Sequence, residues 1–205
     1  MPTLLHIDSA IADAESRTRR LTRAAVEAWR GRGDGYTVVS RDLHADPPSH
    51  LRERSQHWPE RLREGAPLDR ATEEIQERLI AELLGADALV IGAPMYNFNI
   101  PSTLKAWVDL VHVPGITSPF DAEVRPLRGR PAVIVTSQGG PREDAVEHLA
   151  TAPLRHLLGA AFGMEVHVVG TSRTLAERIP ELGVDEADAL FADAEAETVR
   201  LGSTI

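Results

Sequence analysis

Cysteine is absent from the 205-residue chain. Disulfides, thiolate zinc sites, cysteine-ligated iron–sulfur clusters and cysteine nucleophiles are thereby excluded, and a reducing cytoplasm is the expected compartment. Lysine is almost absent, Lys105 being the only one among 22 basic residues. Arginine stays charged and grips anions in a planar fork, but an excess spread over the whole chain reflects composition more than function. Aromatic residues are few, with three Trp, two Tyr and four Phe, so a place where they gather carries information. No apolar run approaches the ~18 residues of a membrane helix. The short apolar start is soon interrupted by Asp8 and Asp13, unlike a signal peptide. Missing too are Gly-x-Gly-x-x-Gly, the Walker lysine loop, His-Glu-x-x-His and Gly-x-Ser-x-Gly, which argues against Rossmann, P-loop, zincin and hydrolase-elbow sites. The eight histidines are scattered and no metal site is expected. A formal net charge of −9 makes duplex nucleic acid a poor partner.

What is present alternates regularly. A chain of this length suits one domain, here residues 1–205. Apolar runs at 3–7, 36–41, 87–92, 131–136 and 165–170 read as five strands, most buried on both faces. Helical spacing at 16–31, 71–84, 102–111, 144–161 and 185–201 separates them. Ser16 is placed to cap the first helix and Gly31 to end it. Ile75, Leu79 and Ile80 should face inward, His6 and His167 should be core, and Pro153 should kink or split its helix. Two irregular excursions stand at about 42–69, with one short helix expected near 59–64, and at 114–129.

Buried strands joined by helical crossovers form a parallel sheet covered on both sides. Right-handed crossovers wind it doubly. The expected fold is therefore α/β, a three-layer doubly wound five-stranded parallel sheet of flavodoxin-like order 2-1-3-4-5, whose ligand crevice lies beyond the carboxyl ends of the strands. That order brings three polar turns around one crevice, at 9–18, 93–101 and 137–142. The first ends in Glu-Ser-Arg-Thr at a helix start, where free N–H groups and the helix dipole suit a phosphate, with Ser16, Arg17 and Thr18 adding donors and charge. An ordinary capped helix reads the same way. The second, Ala-Pro-Met-Tyr-Asn-Phe-Asn-Ile-Pro, is either built for a flat hydrogen-bonding ligand or a rigid Pro-bracketed turn with its aromatics in the core. The third, Ser-Gln-Gly-Gly, brings backbone close to a ligand or takes positive φ. Together they suit a phosphorylated planar ring.

The segment Ala-Pro-Met-Tyr-Asn-Phe-Asn-Ile-Pro at 93–101, followed by Ser-Thr-Leu-Lys-Ala-Trp-Val-Asp and, after the next strand, Thr-Ser-Gln-Gly-Gly at 136–140, resembles the FMN-dependent NADH-azoreductases. These are flavodoxin-like quinone reductases, usually homodimers. The resemblance runs from Leu4 to about Leu201. It implies FMN as bound cofactor, NADH or NADPH as donor, and quinones or azo compounds as oxidants. It further implies that Ser16, Arg17 and Thr18 hold the FMN phosphate. Pro94, Met95, Tyr96, Asn97 and Phe98 would line the ring and ribityl chain, and Ser137, Gln138, Gly139 and Gly140 the ring's polar edge. Ser9 would sit at the phosphate turn, although the family's serine falls on Ala10 here. Phe120 and Phe162 are candidates for stacking on an aromatic substrate, with core or dimer packing as the other possibility. No single acid or base is assigned a catalytic role. The chain departs from the family at 118–127 and at Pro141 and Arg142, which bear on substrate. The rival from another class is a flavodoxin-type electron carrier; such carriers tend to be smaller and lack the long excursions.

Overall fold

The computed structural model describes residues 1–11, 16–65, 68–121, 123, 125–142 and 144–205, without the side chains of 144–148. Five strands, β1 (Thr3–Asp8), β2 (Thr37–Asp42), β3 (Ala88–Pro94), β4 (Pro131–Ser137) and β5 (Glu165–Thr171), form one sheet. Its order is β2-β1-β3-β4-β5 and every neighbouring pair is parallel, as expected from the sequence. Five helices cover it: α1 (Arg17–Arg30), α2 (Arg70–Gly85), α3 (Ser102–Val111), α4 (Asp144–Arg155) and α5 (Val184–Thr204).

Alternate residues of the central strands feed two cores. Leu5, Ile7, Leu89, Ile91 and Ile134 pack with Trp107, Leu83 and Leu158 under α2, α3 and the end of α4. Leu4, Val90, Val133 and Val135 pack with Trp29, Leu21 and Phe191 under α1 and α5. All seven residues of β3 are buried, which explains its unbroken apolar run. Where α1 crosses α5, a Cβ on Gly202 would lie 2.4 Å from the Ala25 carbonyl oxygen, so only glycine permits that approach.

Three local expectations change, and the split of the helix at Pro153 holds. The excursion after β2 holds two short 3-10 turns, Arg54–His57 and Glu60–Leu62, instead of one helix. It is pinned by buried amides: Gln56 Oε1 accepts from the N–H groups of Arg52 (2.7 Å) and Glu53 (3.1 Å), and Gln76 Nε2 donates to the carbonyls of Gln56 (2.8 Å) and Leu110 (3.0 Å). Gln76 thus takes an inward place on α2, while Ile75 packs at the margin of the core. After Pro153, which lacks an N–H for the helix ladder, the chain widens into a π-helical turn, His156–Ala161. His167 is exposed, because β5 is an edge strand whose outer end is only partly covered. Among the described residues no helix is long and apolar enough to cross a membrane.

Candidate functional site

The register Asp8↔Gly92 and Pro94↔Ser137 ends β1, β3 and β4 at one edge of the sheet. The three polar turns therefore meet, and hydrogen bonds lace them together. Ser9 Oγ donates to the Gly92 carbonyl (2.6 Å). The N–H of Ile11 donates to Tyr96 Oη (2.8 Å), joining the first turn to the second. The N–H of Met95 donates to the Ser137 carbonyl (2.8 Å), joining the second to the third. Thr18 Oγ1 and Ser137 Oγ share a buried hydrogen bond of 2.7 Å, joining α1 to the third. Residues 12–15 of the first turn lie outside the described residues.

Helix α1 starts at this edge. Ser16 is extended and its Oγ accepts from the N–H of Arg19 (3.3 Å). The remaining first-turn N–H groups have no partner within the helix, and no acidic residue sits in that turn. Arg19 forks onto Asp42 (2.7 and 2.9 Å) and reaches the Ala10 carbonyl (2.8 Å), bracing the first turn from beneath. The Arg19 hydrogen bond holds the Asp42 carboxyl well below the usual range, at about 2, despite partial burial that pushes the other way.

The second turn is strained. Tyr96 and Asn99 exchange backbone hydrogen bonds (2.8 and 3.1 Å) around Asn97 at φ 49° and Phe98 at φ 67°. Two consecutive left-handed residues make a type I′ turn. Asn tolerates this conformation, but a bulky Phe does not favour it, and such strain tends to persist at functional sites. The turn holds Asn97 and Phe98 outward, Phe98 being 64% exposed.

The third turn does not use positive φ. Gly139 instead lies close under a side chain: a Cβ there would come within 2.8 Å of Leu175 Cδ1, so the exposed Leu175 would have to turn aside. The segment after β5 closes over the edge, where the N–H groups of Leu175 and Arg173 donate to the carbonyls of Gly139 (3.3 Å) and Gly140 (2.8 Å). Gln138 is buried and its side-chain amide donates to the Pro141 carbonyl.

A cavity of ≈ 750 Å³ opens between these parts, within the roughly 300–1,000 Å³ typical of ligand pockets. Of the residues expected from the sequence, Ser16, Arg17, Pro94, Tyr96 and Ser137 line it. Met95, Asn97 and Phe98 stand on the same loop as Tyr96, and Gln138, Gly139 and Gly140 continue from Ser137. Ser9 and Thr18 are 1% and 0% exposed with committed hydroxyls. They brace the site from below. The Arg17 guanidinium donates to the Ala187 carbonyl (2.9 Å) and pairs with Asp188 (3.1 Å), so its charge serves α5 and leaves its backbone N–H for a ligand.

Sequence reasoning missed Arg20 and the wall after β5, namely Thr174, Leu175, Glu177 and Arg178. The signal was available: β5 neighbours β4 in the expected order, so the turn after β5 borders the same crevice.

Neither substrate candidate lines this cavity. Phe162 is fully buried beside His112, with ring centroids 6.0 Å apart, and is a core residue. Phe120, in the excursion after α3, is exposed and meets Trp58 of the excursion after β2 edge-on at 5.1 Å. Together with Arg54 and Leu62 these rings line a separate cavity of ≈ 470 Å³. Arg61 and Asp121 (2.5 Å) tie the two excursions together beside it.

Residues 2–197 match a family described as having a flavodoxin-like fold. A relative from Kineococcus radiotolerans, named FMN-dependent NADH:quinone oxidoreductase, is 43% identical over 213 aligned residues that span 100% of both chains. A Streptomyces coelicolor relative of the same name is 37% identical over 89% of this chain and 84% of its own. Among solved structures, an azoreductase from Bacillus anthracis superposes with a TM-score of 0.81 at 18% identity over 100% of both chains. An FMN-dependent NADH-azoreductase from the same organism, in complex with FMN, gives 0.77 at 19% identity over 98% of this chain and 100% of its own. At such identities the superpositions speak to fold alone.

Proposed function

The chain belongs to the flavodoxin-like family, alongside the FMN-dependent NADH:quinone oxidoreductases, and from that premise we propose that it is an FMN-dependent NAD(P)H oxidoreductase passing two electrons at a time, by ping-pong, to quinones or azo compounds. The observation that carries the proposal is the meeting, in one cavity, of a helix whose first turn has no acidic residue, the strained Tyr96–Asn99 turn and Ser137. That is a phosphate end, an amide and aromatic face, and a polar edge.

The residues fit FMN. Ser16 and the N–H groups of Arg17 and Thr18 hold the phosphate. Pro94 through Phe98 line the ring and ribityl chain, and Ser137 through Gly140 meet the ring's polar edge. Bound FMN supplies the hydride and electron chemistry. The protein binds, orients and stabilises charge. The backbone N–H groups of Asn97 and Gly140 donate to no protein acceptor among the described residues and are available to negative charge at the ring edge. Leu175 walls the cavity on the far side with an apolar side chain. No side chain needs to act as general acid or base.

The assembly we propose is a homodimer. Phe120 is exposed and does not line the cavity of its own chain, which leaves it free to meet an aromatic substrate at the ring of a second copy. The location we propose is the cytoplasm, where the reduced nicotinamide donor is available; the absence of cysteine is in keeping with it. The test is to purify the protein, add FMN, and follow flavin absorbance and NADH and NADPH oxidation with a simple quinone and with an azo dye. An azo bond should consume two reduced nucleotides. A colourless protein that takes up no FMN sinks the proposal. NADH oxidation seen only after adding a separate flavoprotein reductase turns it into an electron carrier.

A further inference from the structure

Helix α1 enters the cavity with an unfavourable charge pattern. A helix N-terminus already carries about half a positive charge and prefers acidic neighbours. Here the first turn has none, and Arg17, Arg19 and Arg20 crowd the start. Two of the three are answered. Arg19 pairs with Asp42 and lies 3.7 Å from Asp8, and Arg17 pairs with Asp188. Arg20 has no carboxylate partner among the described residues. Its guanidinium lies 4.3 Å over the Phe191 ring, and the residue lines the cavity.

A second unanswered cation arrives from another element. Arg178 lines the same cavity, is exposed, and has no ion-pair partner among the described residues. Backbone bonds set its place: its N–H donates to the Leu175 carbonyl (2.9 Å), and that turn is fastened to Gly139 and Gly140 as described above. The carboxylate lining the cavity is that of Glu177, 80% exposed and 3.9 Å from the Arg17 guanidinium. In a chain of net charge −9, two guanidinium groups at one cavity with no carboxylate partner among the described residues call for an anion.

We propose that Arg20 and Arg178 form a cationic clamp beside the start of α1 that makes the site select a phosphorylated flavin over the unphosphorylated one. This rests on the flavin reading above and adds two residues to it. A phosphate monoester carries roughly −1.5 to −2 charges near neutral pH. Ser16 and the helix N–H groups offer it neutral donors, whereas the two arginines add charge-assisted, forked bonds, which are about twice as strong.

The experiment titrates apoprotein with FMN and with riboflavin, following flavin fluorescence, in the natural protein and in Arg178→Gln, Arg20→Gln and the double variant, at low and high salt. The Arg178 side chain makes no hydrogen bond, ion pair or ring contact among the described residues and is exposed, so Arg178→Gln should leave the fold intact, as circular dichroism will show. Each single change should weaken FMN roughly tenfold and the pair roughly a hundredfold, with riboflavin held within about twofold and a flatter salt dependence. Tight FMN binding with an unchanged FMN-to-riboflavin ratio in Arg178→Gln and in the double variant overturns the clamp and leaves the flavin reading standing. Equal losses for both flavins overturn it as well. A natural protein that binds neither flavin overturns the flavin reading and the clamp with it.

Discussion

The hydroxyl of Tyr96 accepts the backbone N–H of Ile11 at 2.8 Å, across 85 residues of sequence. One oxygen therefore sets the distance between the turn that begins at β1 and the loop that follows β3. Tyr96→Phe removes that acceptor and keeps the ring. The Ile11 N–H is near solvent, so the stability cost should be only about 0.5–1.5 kcal/mol. The larger effect should fall on FMN affinity, weakened roughly three- to tenfold because the first turn loses its tether. Flavin titration beside urea denaturation checks this. An unchanged FMN Kd would show that the tether does not organise the site.

Phe98 combines positive φ with 64% exposure, so it contributes strain and little burial. A left-handed conformation costs a non-glycine residue roughly 1–2 kcal/mol, while glycine adds about 0.5–1 kcal/mol of unfolded-state entropy. Phe98→Gly should thus be neutral to stabilising, by up to about 1 kcal/mol, and should lower kcat/KM with a quinone. Phe98→Ala keeps the strain and loses the ring, so it should lower kcat/KM without the gain in stability. If Phe98→Gly destabilises the fold by more than 1 kcal/mol, Phe98 is a packing residue after all.

The parts legible in the sequence were those set by strand periodicity. Runs such as 131–136 and 88–92 contain little but apolar residues, so they identified strands buried on both faces, and parallel topology then dictated which turns meet. Side-chain commitments were not legible, because they depend on partners distant in sequence. Thr18 reads as a phosphate donor until Ser137 takes its hydroxyl, and Arg17 reads as a phosphate cation until α5 takes its guanidinium. Gln76 falls on the inner face of α2 against hydropathy, since its amide is paired by two carbonyls. The wall at 172–183 has neither helical nor strand periodicity. Only its place after β5 could have drawn attention to it.

The Arg19 and Asp42 pair makes a prediction about acid. Asp42 is held at about 2 against an ordinary 3.8, chiefly by the Arg19 hydrogen bond. A depressed carboxyl stabilises the fold fully above the ordinary value and loses that contribution as pH falls through about 2. The Asp42 side chain is 38% exposed, so solvent screening brings the contribution down to about 1 kcal/mol. Asp42→Asn should be less stable than the natural protein by that amount at pH 7, and the gap should narrow below about pH 4 and close as pH falls through about 2. Urea midpoints across pH 2–7 measure it, and parallel curves would refute the assignment.

The two phenylalanines proposed from the sequence as substrate contacts should separate cleanly. Phe162 is 0% exposed and sits in the larger core. Truncating a buried Phe to Ala costs about 3–5 kcal/mol through lost burial and the cavity left behind. Phe162→Ala should therefore be strongly destabilised, while the fraction that remains folded keeps a normal KM for quinone. Phe120 is 58% exposed and contacts Trp58 along one edge, a contact of about 0.5–1.5 kcal/mol. Phe120→Ala should lose about 1 kcal/mol or less. Phe120 does not line the cavity of its own chain, so in the proposed homodimer any change it makes in quinone KM passes between two copies. The KM shift should then disappear when the protein is diluted or mutated to a monomer, as sedimentation run beside the kinetics would show. A KM shift that persists in the monomer would mean that Phe120 acts on the cavity within one chain.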